Sequence, residues 1–174
     1  CISGASAALT VDPVPTPPVA PTASVTVQPT CAVPTGTIVI TAPIGAQYEY
    51  QLYAGAFQNS PTFTGVAVGS HTVKARLTAS ITCVSPASSS MTVNAVPTPP
   101  ATPTASVTVQ PTCAVPTGTI VITAPLGAQY EYQLDAGAFQ ASPTFSGVAV
   151  GSHTVRARLT ASPTCISGAS AAMT

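Results

Sequence analysis

Five cysteines are the residues whose spacing organises side-chain chemistry in this chain. They stand at positions 1, 31, 83, 113 and 165, and the same 52-residue separation recurs from Cys31 to Cys83 and from Cys113 to Cys165. Thiols can ligate metal, attack an electrophile or oxidise to disulfides. Zinc sites draw on closely spaced Cys or His ligands, and this chain has neither a CxxC pair nor a Cys/His cluster. Oxidation is the chemistry that fits. One bond per repeated unit gives Cys31–Cys83 and Cys113–Cys165, with Cys1 unpaired and its partner expected in a preceding unit. Each bond would close a loop of about 53 residues, worth roughly 4 kcal/mol in the chain-entropy picture. Such bonds imply an oxidising, extracytoplasmic setting.

The remaining polar groups offer little for catalysis. His71 and His153 are the only histidines, one per unit, and no Ser/His/Asp or Cys/His set recurs around them. A lone histidine at a strand start reads as structural. Glu49 with Arg76, and Glu131 with Arg158, fall on the outward faces of strands expected to neighbour one another in one sheet. They read as cross-strand ion pairs rather than an acid–base couple. Four basic and four acidic residues leave a net charge of zero, with no basic patch for nucleic acid. Calcium needs concentrated carboxylates, and no DxD cluster occurs. The chain reads as non-enzymatic, without metal or other cofactor. No run approaches 18 uninterrupted apolar residues, so no segment reads as membrane-spanning.

The elements that position these groups come in two nearly identical copies. Residues 22–92 and 104–174 agree at 61 of 71 positions, with a period of 82 residues. A fixed period of this size marks a repeat architecture. The opening CISGASAALT matches the closing CISGASAAMT, so the sequence reads as a window from a longer array. Two proline-rich stretches, VDPVPTPPVAP at 11–21 and VNAVPTPPATP at 93–103, read as semi-rigid spacers. The organisation expected is a C-terminal strand of a preceding repeat at 1–10, a linker at 11–21, repeat 1 at 22–94, a linker at 95–103 and repeat 2 at 104–174. Thr, Val, Ile and Tyr dominate each unit, and seven short strands are expected in the first: 23–28, 36–42, 47–53, 56–58, 62–66, 71–78 and 88–94. Ile38 and Ile40 share one face of their strand, as do Tyr48, Tyr50 and Leu52, and Val73, Ala75 and Leu77. Such alternation fits an all-β fold of tandem immunoglobulin-like or fibronectin-III-like sandwiches joined by Pro-rich linkers.

The run PTCAVPTGTIVITAP, followed by QYEYQL, FTGVAVGSHTVKARL and ITCVS, resembles the immunoglobulin-like repeats of giant secreted surface adhesins of Bacteroidetes-type gliding and predatory bacteria, the gliding-motility adhesin among them. The resemblance covers essentially the whole chain. It departs at His71 and His153, which stand where such domains commonly carry Tyr, and this puts the tyrosine-corner hydrogen bond in question. The resemblance implies a structural module of a long extracellular filament or adhesin stalk at the bacterial cell surface. The alternatives are an adhesive module for glycans or other cells, or an accessory array of a secreted enzyme. Neighbouring repeats of the same polypeptide are the first expected partners. Identical chains joined side by side in a fibre come next, favoured by the absence of net charge and by contacts that recur at every repeat. A cell-surface glycan is a further candidate.

Overall fold

A computed structural model describes residue 4 and residues 7–174. Cys1 and half of the terminal strand expected over 1–10 lie outside the described residues, and the described residues 7–10 form no strand. The first repeat forms β1 (Thr22–Val27), β2 (Gly36–Ala42), β3 (Tyr48–Leu52), β4 (Phe57–Gln58), β5 (Thr62–Val66), β6 (Gly69–His71), β7 (Val73–Leu77), β8 (Ser80–Val84) and β9 (Met91–Val93). The second forms β10 (Thr104–Val109), β11 (Gly118–Ala124), β12 (Tyr130–Leu134), β13 (Thr144–Val148), β14 (Val155–Leu159) and β15 (Ser162–Ile166). No helix occurs among the described residues.

Each repeat builds two sheets. In the first, the orders are β1-β2-β5 and β4-β3-β7-β8, with β6 and β9 paired separately. In the second they are β10-β11-β13 and β12-β14-β15. Three strands against four in the first repeat, and three against three in the second, make an immunoglobulin-like or fibronectin-III-like all-β sandwich. By its contacts the chain divides into two compact units. One comprises 1–26, 37–64 and 70–92, and the other 27–36, 65–69 and 93–174.

Alternation places the core as the sequence pattern requires. Ile38 and Ile40 are fully buried, while Thr37 and Val39 are only partly covered and Thr41 is exposed. Tyr50, Val73 and Ala75 are buried beside them, and Ile120, Ile122, Tyr132, Val155 and Ala157 repeat the cluster. A buried tyrosine needs a partner for its hydroxyl. Tyr50 donates to the Pro43 carbonyl and Tyr132 to the Pro125 carbonyl, each at 2.9 Å.

Two strands differ from the sequence expectation. The segment expected to be one strand over 71–78 changes partners within two residues: β6 pairs with β9, whereas β7 pairs with β3. The strand expected over 88–94 shrinks to β9. The partner that closes the four-stranded sheet is instead β8, which returns beside β7 with Leu77 opposite Ser80. The turn between them, Thr78–Ala79, contains no Gly or Asn, and β8 shows no alternating burial, so neither signal announces it. The register shifts within the β7–β8 pairing, between Arg76 and Leu77, and Ser85 just after β8 is buried, where its Oγ accepts from Ala75 N at 2.9 Å and donates to the Pro86 carbonyl at 2.8 Å. Ser167 repeats this at Ala157 N.

Two measurements follow from this architecture. Replacing Ser85 or Ser167 by Ala strands a buried backbone N–H, and each change is expected to lower stability by about 1–3 kcal/mol in denaturant unfolding; an unchanged midpoint would show that another acceptor takes over. The basic residues Lys74 and Arg76 lie on β7, between β3 and β8, and Arg156 and Arg158 lie on β14, between β12 and β15. Cleavage there requires a central strand to open. Native trypsin digestion is therefore expected to leave the chain intact over hours, and rapid cutting would contradict these sheet positions.

Candidate functional site at the inter-repeat disulfide

Strand direction decides which cysteines can meet. In the second repeat, β10 runs antiparallel to β11, with Thr104 opposite Ala124 and Val109 opposite Thr119. Cys113 therefore lies in the loop at the Val109–Gly118 end. The other end of β11 leads through residues 125–129 into β12, whose first residue Tyr130 lies opposite Leu159 of β14. The hairpin turn from β14 to β15 sits at that second end, and Cys165 follows it within a few residues. The two cysteines of one repeat are thus separated by most of a strand's length, on the order of 15–20 Å at ~3.3 Å per residue. A disulfide needs Cα atoms within about 4.4–6.8 Å.

The bond that forms is Cys31–Cys165, with an S–S distance of 2.01 Å, Cα atoms 5.1 Å apart and a sequence separation of 134. Cys83 and Cys113 are free thiols. The pairing expected from spacing, Cys31–Cys83 and Cys113–Cys165, is corrected accordingly. Equal spacing reports the repeat and is blind to which end of the sandwich each cysteine occupies. In the chain-entropy picture a loop of this length is worth about 5 kcal/mol, slightly more than the shorter loops would be.

The bond lies wholly within the compact unit that contains residues 27–36 and 93–174. A tight turn presents Cys31: Thr30 N donates to the Val33 carbonyl at 2.8 Å, and Val33 N donates to Thr30 Oγ1 at 3.0 Å. The proline-rich linker packs against the bond. The Pro97 carbonyl oxygen lies 3.0 Å from Cys31 Sγ and 4.0 Å from Cys165 Sγ. Asn94 N donates to Gln28 Oε1 at 2.8 Å, tying the linker's start to the same loop. Pro29 is buried and Cys165 is fully enclosed. The turn at Thr30–Val33, the proline-rich segment and β15 are thus held together around one disulfide.

The charged groups lie elsewhere and act structurally. Glu49 stands opposite Arg76, and their side chains meet at 2.6 Å; Glu131 and Arg158 meet at 2.7 Å. Each guanidinium also covers a ring, Phe57 at 4.0 Å or Phe139 at 4.1 Å. Partly exposed pairs of this kind contribute about 0.2–1 kcal/mol. No cluster of metal-ligating side chains occurs among the described residues.

His153 makes the corner hydrogen bond itself. Its Nε2 lies 2.9 Å from the Ala149 carbonyl, four residues upstream, and its Nδ1 lies 2.7 Å from Asp135 Oδ2. Both partners only accept, so both ring nitrogens must carry hydrogen and the imidazolium is favoured. The bond to Asp135, with that to Ala149 behind it, holds His153 above the usual histidine value. The bond from His153, aided by Thr154 N–H, holds Asp135 below the usual carboxylate range. Sequence reasoning missed this pair. Its signal was the change from Tyr53 to Asp135 at a position held at positive φ, 52° and 48° respectively, which Asp tolerates well.

A raised histidine stabilises the fold fully below its unfolded pKa and loses that contribution as pH rises through the folded value. A lowered carboxylate contributes above its unfolded pKa and loses it as pH falls through the folded value. The pair is therefore strongest between about pH 3.9 and 6.5. Exposure of Asp135 to solvent keeps the effect small. By NMR, the His153 ring should titrate above 6.5, and Asp135→Asn should move its midpoint downward. A midpoint indifferent to that substitution would rule out the pair.

No family model matches the chain, and no curated protein matches it. Among solved structures, the chain is similar to the human OSCAR ligand-binding domain at 16% identity and a TM-score of 0.35, covering 91% of this chain and 98% of that one. It is also similar to the FN1–FN3 domains of chicken CNTN1 at 13% identity and a TM-score of 0.43, covering 91% of this chain and 64% of that one.

Proposed function

We propose that this chain is a structural, non-enzymatic segment of a long extracellular filament or adhesin stalk at a bacterial cell surface. Its working feature is the covalent closure of the joint between successive repeats. The Cys31–Cys165 bond carries this reading. A catalytic or ligand-binding module gains little from a disulfide outside any cleft. A module that transmits tension gains a great deal, because force applied at the two ends bypasses the residues between the bonded cysteines.

The proline-rich linker supports the same role. Proline fixes φ and keeps a spacer extended, and the Pro97 carbonyl against the bond fixes where that spacer runs. A surface with no net charge tolerates close neighbours. The disulfide also fits an oxidising compartment outside the cytoplasm. Among the described residues no helix is long and apolar enough to cross a membrane.

Pulling single molecules from their termini tests the proposal. The bond removes 134 residues from the extensible path. At ~3.4 Å per extended residue, oxidised chains should stretch roughly 45 nm less than reduced ones. Equal extension in both states would remove the mechanical role.

A further inference from the structure

The two sulfurs of the disulfide are covered unequally. Cys165 has no surface open to solvent, whereas Cys31 is only half-buried. The difference follows from the backbone that carries each one. Cys165 lies on β15, where it and nearby Ser167 are buried while Ile166 between them is exposed. Cys31 lies in the Thr30–Val33 turn and is followed by the exposed Ala32, Val33 and Pro34. Thiol–disulfide exchange depends on which sulfur a thiolate can touch. A sulfur with no accessible surface reacts only when the fold opens, and a half-buried one can be attacked as it stands.

We propose that Cys31 is a modification site for small-molecule thiols of the glutathione class, and that Cys165 is the sulfur that displaces them again. The Pro97 carbonyl oxygen, 3.0 Å from Cys31 Sγ, takes up one side of that sulfur, and the exposed turn is the way in. A thiolate attacks Cys31 Sγ. The Cys31–Cys165 bond breaks and a new S–S bond joins the thiol to Cys31. The electron pair stays on Cys165 Sγ, which takes up the proton that the attacking thiol gave up. The step needs no other oxidant or reductant.

The surroundings keep the two cysteines together after the exchange. Thr30 N holds the Val33 carbonyl at 2.8 Å, Val33 N holds Thr30 Oγ1 at 3.0 Å, and Asn94 N holds Gln28 Oε1 at 2.8 Å. None of these contacts uses the disulfide. The Cα atoms lie 5.1 Å apart, so Cys165 remains placed to attack Cys31, expel the thiol and restore the bond. A second thiol that attacks the adduct first leaves both cysteines reduced. The assignment needs only the disulfide and its cover, not a mechanical role for the chain.

The test uses the full chain with Cys1→Ser, Cys83→Ser and Cys113→Ser, which leave the bonded pair untouched. Reduced glutathione is added in excess, exchange is stopped with acid, and peptide mass spectrometry locates the adduct. Circular dichroism checks that the sheets persist throughout. Glutathione should be found on Cys31 over Cys165 by at least about tenfold, at a rate that rises in proportion to its concentration. A second comparison adds one further change to the same background. With Cys165→Ser, the Cys31 thiol should react with iodoacetamide about 10–100 times faster than the Cys165 thiol does with Cys31→Ser. Adducts mainly on Cys165, a rate independent of glutathione, no exchange over days, or equal alkylation of the two variants would each overturn the proposal.

Discussion

The structure depends on one geometric constraint: the two ends of a β-sandwich are a strand apart. Loops alternate between those ends as the antiparallel strands reverse, so a residue's place in the strand order fixes which end it occupies. Cys113 precedes β11 at one end, and Cys165 follows the β14–β15 turn at the other. A bond spans a few ångströms and a strand several times that, so the thiols of one repeat cannot close on each other. Where Cys31 and Cys165 do meet, they join successive repeats rather than clamping one.

That relocation changes how the repeats gain stability. Small sandwiches have limited apolar burial and often need staples. Here each core holds a few large buried side chains, with Tyr50 and Tyr132 anchored by hydroxyl bonds to backbone carbonyls. The buried serines Ser85 and Ser167 satisfy backbone donors where the register shifts. No buried side-chain polar atom among the described residues lacks a partner. The sandwich is thus held by its core and hydrogen bonds.

The two repeats are near copies, yet not interchangeable in charge. Asp135 stands where the first repeat has Tyr53, and with His153 it builds a charge-assisted corner at the start of β14. The corner bond usual for tyrosine is thereby made by an imidazole, one of whose nitrogens faces a carboxylate. One substitution in a near-identical repeat gives the second repeat a pH-responsive contact, while the register of β12 on β14 stays that of β3 on β7.

The sequence by itself determined the period, the all-β class, the buried faces of β2, β3 and β7, and the pairing of Glu49 with Arg76. These follow from local periodicity and from which strands lie side by side in such a sheet, and strand alternation is a property each segment carries alone. It did not disclose β8, whose turn lacks Gly or Asn and whose residues do not alternate in burial. It did not disclose the His153–Asp135 pair, which joins residues on separate segments. Above all, it did not disclose the disulfide partners. A count of cysteines and a fixed spacing are the same whether bonds form within repeats or between them. Only the tertiary structure, by setting strand directions and so assigning each thiol to an end, decided that Cys31 reaches Cys165.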